Sequence, residues 1–188
     1  MTTNVERITP AVRDEDKLAA LLGKVVAADL VVLAFPVYWD SLPSPVVQLL
    51  EAWAPRLTHE SMPSSARLAV LTQCGFPEEA HCRVAVEICQ RFAENTGITW
   101  AGALAFGPGA PLEGAKLEKS PLASRVKAFD DAMDALAAGG VIPDSSTATF
   151  AKPLAPASVY PLLGWFMWNF QARNRGCKEP LTTKRYAQ

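Results

Sequence analysis

Residues 28–53 read ADLVVLAFPVYWDSLPSPVVQLLEAW, and this stretch decides the fold. An unbroken apolar run, Leu30 to Phe35, stops at Pro36. A loop bearing Tyr38, Trp39, Asp40 and Ser41 follows, and a helix opens at Ser44-Pro45, with Ser44 as its cap. A short run with polar residues on neither face predicts a parallel strand covered by helices on both sides. The loop then lies outside the carboxyl end of the strand, where open α/β sheets bind ligands. Two aromatic rings at that position suit a flat, conjugated ligand better than a sugar or an ion. Asp40 also has a plainer role, bonding nearby backbone N–H groups of its own loop.

The same pattern recurs along the chain. Upstream, Asp14 to Ala28 predicts a helix with Leu18, Leu21, Leu22, Val25 and Val26 on one stripe, capped by Asp14 or Asp16. Val46, Leu49, Leu50 and Trp53 form the buried side of the helix from Pro45 to about Ala54. Arg67 to Gln73 reads as a second strand ending in Cys74-Gly75-Phe76-Pro77. Pro77 then opens a helix to about Asn95, with Val84, Ile88 and Phe92 as its core face and Gly97 as its left-handed cap. Ile98 to Phe106 is a third strand, followed by GPGAPLEG. Ser120-Pro121 opens a further helix carrying Val126, Phe129, Met133 and Leu136, stopped by Gly139-Gly140. Three βα units in succession predict a parallel, doubly wound sheet with right-handed crossovers.

Composition narrows the function. The 188 residues suffice for one domain with a real core. A net charge of −1, with no basic block, argues against nucleic acid as a partner. The four cysteines, at 74, 82, 89 and 177, include no C-x-x-C pair, and only His59 and His81 could join them as metal ligands. They read as small buried or free thiols of a reducing compartment, with Cys82 and Cys89 on one helical face. Residues 1 to 17 are polar and charged, which is not a secretory signal, so a cytoplasmic location is expected.

Residues 1–140 are expected to form the α/β domain, and residues 141–188 a connector and a helical extension. From Val141 to Pro161 the chain is rich in Pro, Ser, Thr and Ala and lacks periodicity. Tyr160 to Arg173, YPLLGWFMWNFQAR, is apolar nearly all round and too short to span a bilayer. It can pack over its own sheet, against a partner subunit, or on a membrane surface, for which it lacks a basic polar face. Arg173, Arg175, Lys178, Lys184 and Arg185 make the tail locally basic, as a solvated charged end.

FPVYWDSLPSP after one buried strand, CGFPEE after the next and GITWAGALAFGPG at the third, in that order, resemble the flavodoxin-like NAD(P)H-dependent flavin oxidoreductases related to FMN reductases. The closing aromatic helix and Arg185-Tyr186 are similar to that group as well. The resemblance runs from about Asp14 to the end of the chain. It implies a three-layer flavodoxin-like fold with FMN across the carboxyl ends of the strands. Phe35, Pro36, Val37, Tyr38, Trp39 and Leu42 would then border the isoalloxazine ring, and Cys74, Gly75 and Phe76 would form the second loop against it. The implied activity is hydride transfer from NAD(P)H to a small acceptor such as a quinone or flavin, in a homodimer, with no catalytic acid or base. The flavin carries the chemistry.

One part of the pattern is missing. The family opens with a strand and a Ser/Gly-rich loop leading into a helix, whose N–H groups hold the FMN phosphate. MTTNVERITPAVRDEDK has no glycine and no apolar run long enough for a central strand. The chain is therefore expected to begin at or just after the family's second strand, as a truncated relative or from a start set too far downstream. Its sheet would keep exposed edges that a dimer could cover. Gly107-Pro108-Gly109 does not replace the loop, because Leu112 stands at the third glycine position of G-x-G-x-x-G. Two rival functions follow: a non-catalytic binding or assembly module with weak FMN affinity, and a hydrolytic cluster of Tyr38, Asp40, Glu78 and His81. The latter has no G-x-S-x-G nucleophile elbow.

Overall fold

The computed structural model describes residues 3–59, 65–108, 122–154, 156 and 158–177. The expected helix start at Ser120-Pro121, the residues Gly109 and Leu112, and the basic positions Lys178, Lys184 and Arg185 lie outside the described residues. A short helix α1 (Ile8–Ala11) and helix α2 (Glu15–Val26) lead into strand β1 (Leu30–Pro36). Helix α3 (Ser44–His59), strand β2 (Arg67–Cys74) and helix α4 (Arg83–Thr96) follow. Then come strand β3 (Thr99–Pro108) and helices α5 (Ala123–Ala137), α6 (Asp144–Ala151) and α7 (Tyr160–Asn174). The strands form one parallel sheet in the order β1-β2-β3, each neighbouring pair joined through a helical crossover.

Helices cover both faces of this sheet, making three layers. On one face Leu33, Phe35, Leu68 and Val70 pack against α2, α3 and α4. Trp53 is fully buried there and meets Phe92 with ring centroids 5.2 Å apart, its indole N–H without a partner among the described residues. On the other face Ala69, Ala101 and Leu104 pack against Ala132 and Leu136 of α5 and against Ile142. The expected stripes of α2 and α3 are borne out, and the Asp14 carboxylate accepts from Lys17 N at 3.1 Å as the N-cap of α2. Gly97 ends α4 in the left-handed conformation, φ 77°.

Four expectations need correction. First, β1 is not covered on both sides: Val32 is 41% exposed and Ala34 is exposed too. Helices α5 and α6 reach β2 and β3 but leave this flank of β1 open. Second, Pro77 does not begin the helix. Glu78 is extended, a 3-10 turn runs over Glu79–Cys82, and α4 starts at Arg83. Its buried face is Ala85, Cys89 and Ala93, while Val84 and Ile88 are exposed. Small side chains bring the helix close to the sheet and leave the larger ones at its margins. Third, the stretch after Gly140 contains α6, whose Ser/Thr/Ala sequence carries little apolar pattern. Fourth, α3 continues past Ala54 through Pro55.

Helix α7 has no buried residue. It does not pack over its own sheet, although its first residue touches the domain: Tyr160 Oη donates to Gly75 O at 3.2 Å. Among the described residues no helix is long and apolar enough to cross a membrane.

Candidate functional site

The carboxyl ends of β1 and β2 are joined by Val37 N, which donates to Gln73 O at 2.7 Å. Beyond that bond the chain reverses. Tyr38 N donates to Ser41 O at 3.3 Å and Ser41 N to Tyr38 O at 3.2 Å, closing a two-residue turn. Its central residues, Trp39 (φ 53°) and Asp40 (φ 56°), are both left-handed. Turns of this hand favour Asn-Gly, and a residue with a side chain held there costs about 1–3 kcal/mol. Packing does not repay the cost at Trp39, which is 100% exposed at the tip.

Asp40 fastens the turn to the neighbouring loop. His81 Nδ1 and Asp40 Oδ1 lie 2.9 Å apart, and the His81 ring stands against the Phe76 ring with centroids at 4.4 Å. The two loops predicted to face one ligand are therefore adjacent and linked. Tyr38 and Phe76 are 63% and 55% exposed, so the rim carries three open aromatic rings. Gly75, next to Phe76 in the second loop, has free space around it, since a side chain built there would meet nothing within 4 Å. Gly107 at the end of β3 is the opposite case. A Cβ there would sit 3.0 Å from Phe76 O and closer still to Pro77 O, so loop 76–77 rests on bare backbone.

The expected ring neighbours divide into two groups. Tyr38, Trp39, Gly75 and Phe76 are accessible, and Pro36 is half-buried. Phe35, Val37, Leu42 and Cys74 are buried and form the floor beneath them. Cys74 Sγ reaches the carbonyls of Phe76 and Glu78, each at 3.5 Å, which shapes the second loop from below. Burial first, and the neighbouring Cys74 second, push the Cys82 thiol up to about 12. Burial alone pushes Cys89 up to about 12. Both are neutral packing thiols rather than nucleophiles. Burial, then the Cys74 charge, raises the Tyr160 hydroxyl above its usual range.

Sequence reading missed the Trp39–Asp40 turn, the seat provided by Gly107 and the Tyr160 bond. The turn lacks its usual glycine signal, and the other two depend on which strand ends become neighbours. The sequence groups Asp40 and His81 with Tyr38 and Glu78 as hydrolytic candidates, and the structure brings these two together as a clasp.

No protein-family model matches the chain, and no curated protein matches it. Among solved structures, the Trp repressor binding protein from Bacillus subtilis aligns at 14% identity with a TM-score of 0.45, over 52% of this chain and 69% of that one. A P. pentosaceus protein described as an NADPH-quinone reductase aligns at 14% identity with a TM-score of 0.41, over 61% of this chain and 81% of that one. Likenesses this distant decide neither ligand nor reaction.

Proposed function

We propose that the protein holds FMN by its isoalloxazine ring on this shelf and passes hydride from NAD(P)H to a small acceptor such as a quinone or flavin. The observation that carries the reading is the Asp40–His81 bond. It joins the two loops at the carboxyl end of a parallel sheet, where Tyr38, Trp39, Gly75 and Phe76 are exposed. Aromatic faces stack on a conjugated ring, worth about 0.5–1.5 kcal/mol beyond the area buried. The open backbone at Gly75 lets N–H groups approach the polar edge of the ring. When bound, the flavin supplies the two-electron chemistry, and the chain's own residues bind it, orient it and exclude water.

The residues fit the ring better than the phosphate. Among the described residues no glycine-rich loop leads into a helix at this end of the sheet. The turn before α4 presents Glu78 and Glu79, which repel an anion. Ser44 at the start of α3 already accepts from Gln48 Nε2 at 2.8 Å. Among the described residues, ring contacts are therefore what this reading rests on. Titrating the protein into FMN should quench flavin fluorescence saturably. Trp39→Ala or Tyr38→Ala should weaken that binding by up to about tenfold. Undiminished binding in both variants removes these rings from the site, and no quenching at all defeats the proposal.

Among the described residues none forms a phosphate cradle at this end of the sheet, which favours one second reading, a non-catalytic binding module of the same fold. NAD(P)H oxidation with FMN and a quinone separates the two. Turnover supports the enzyme, and flavin binding without turnover supports the module.

A further inference from the structure

Stacking does not choose among conjugated rings. The open faces of Tyr38, Trp39 and Phe76 suit a quinone as well as a flavin. Choice falls to the polar atoms that meet the edge of the ring. One of these comes from outside the two loops. Tyr160, the first residue of α7, is half-buried and donates from Oη to Gly75 O at 3.2 Å. The bond spans 85 residues of sequence and sets a phenol beside the exposed backbone of Gly75, where a side chain would meet nothing within 4 Å.

A hydroxyl has one hydrogen to donate and two lone pairs that accept. The hydrogen of Tyr160 is committed to Gly75 O, so Oη meets a ligand as an acceptor. Burial, then the Cys74 charge, raises this hydroxyl above its usual range, which keeps it an O–H rather than a phenolate at neutral pH. A neutral acceptor beside an open glycine favours a ring with an N–H on its edge. Isoalloxazine has one, the imide N–H between its two carbonyls. A quinone edge carries carbonyl oxygens and has no hydrogen to give.

We propose, on the flavin reading of the shelf, that Tyr160 is a further binding residue: Oη accepts from the imide N–H of the ring while its own hydrogen holds Gly75 O. The first residue of α7 thereby selects a flavin over a quinone, a choice that the three exposed rings do not make.

Lumiflavin and 3-methyllumiflavin test this, because the two rings differ only in whether that nitrogen carries hydrogen or methyl. Each is titrated with the wild type and with Tyr160→Phe, and quenching of flavin fluorescence gives the dissociation constant. The variant keeps the aromatic ring and loses the oxygen, at a position outside the buried core. It should weaken lumiflavin by about three- to tenfold and leave 3-methyllumiflavin unchanged, so the methylated ring also serves as the control for folding. Equal weakening of both rings makes Tyr160 a support of the loop alone and overturns the proposal, as does no weakening of either. A wild type that quenches neither ring defeats the flavin reading, and this proposal with it.

Discussion

The two edges of the sheet are finished differently. Along β3, the outward carbonyl of Ala101 accepts from Ile142 N at 2.8 Å and that of Ala103 accepts from Thr147 Oγ1 at 3.3 Å. Ile142 itself is buried against Gly102. Along β1, the parallel ladder turns the backbone of Val31, Leu33 and Phe35 toward β2 and that of Leu30, Val32 and Ala34 outward. No described residue bonds those outward groups. Edges left in this state are templates for further pairing. One edge of the domain is finished by its own chain, and the other depends on whatever lies beside it.

The largest test of this difference is a pair of truncations. Leu136→Ala, at the covered flank, should lower the unfolding free energy in urea by about 2–5 kcal/mol, the range for a buried leucine. Val32→Ala, at the open flank, should cost less than about 1 kcal/mol, because much of its side chain is already in water. Equal losses would mean that something covers β1 in solution. Alkaline pH offers a second contrast, because the buried thiols lie only in the covered core. Cys82 and Cys89 hold their protons in the folded state, whereas an unfolded thiol ionises near pH 8.5. Above that pH the unfolded chain binds fewer protons, so stability should fall as pH rises toward about 12. Urea midpoints at pH 8 and pH 10 measure it, and Cys89→Ala should flatten the slope.

Two smaller effects concern the edges themselves. Thr147→Val removes the side-chain bond to Ala103 O and should cost about 0.5–1.5 kcal/mol by the same measurement. Ala34→Pro deletes an N–H that bonds no described residue, so its cost should stay within about 0.5 kcal/mol. Amide hydrogen exchange sharpens the point: Val31, Leu33 and Phe35 should be protected, and Val32 and Ala34 should exchange fast. Protection at Val32 and Ala34 would show the edge paired.

The three strands, their parallel direction and the α2 and α3 stripes were legible, because short apolar runs and 3.6-residue spacing are local signals. The open flank of β1 was not, since Leu30 to Phe35 reads the same whether one face or both are covered. Pro36 held a usable sign. It lies on the outward side of the ladder, where a missing N–H removes no bond, which is where strands at an edge tolerate proline. The α4 face is not legible from side-chain size, because the small Ala85, Cys89 and Ala93 make the close approach to the sheet. The shelf was legible as two loops with aromatic residues. Which side chains lie on it and which beneath it depended on strand pleat and turn hand, and Trp39-Asp40 announces neither.

The turn at Trp39 and Asp40 sets stability against use. Trp39→Asn with Asp40→Gly would relax both backbones and should raise the melting temperature. The same pair of changes strips the tip of its indole and the His81 clasp of its carboxylate. Selection for heat resistance alone would remove the exposed indole and the carboxylate of the clasp together, so a sturdier fold and this rim exclude each other at these two positions.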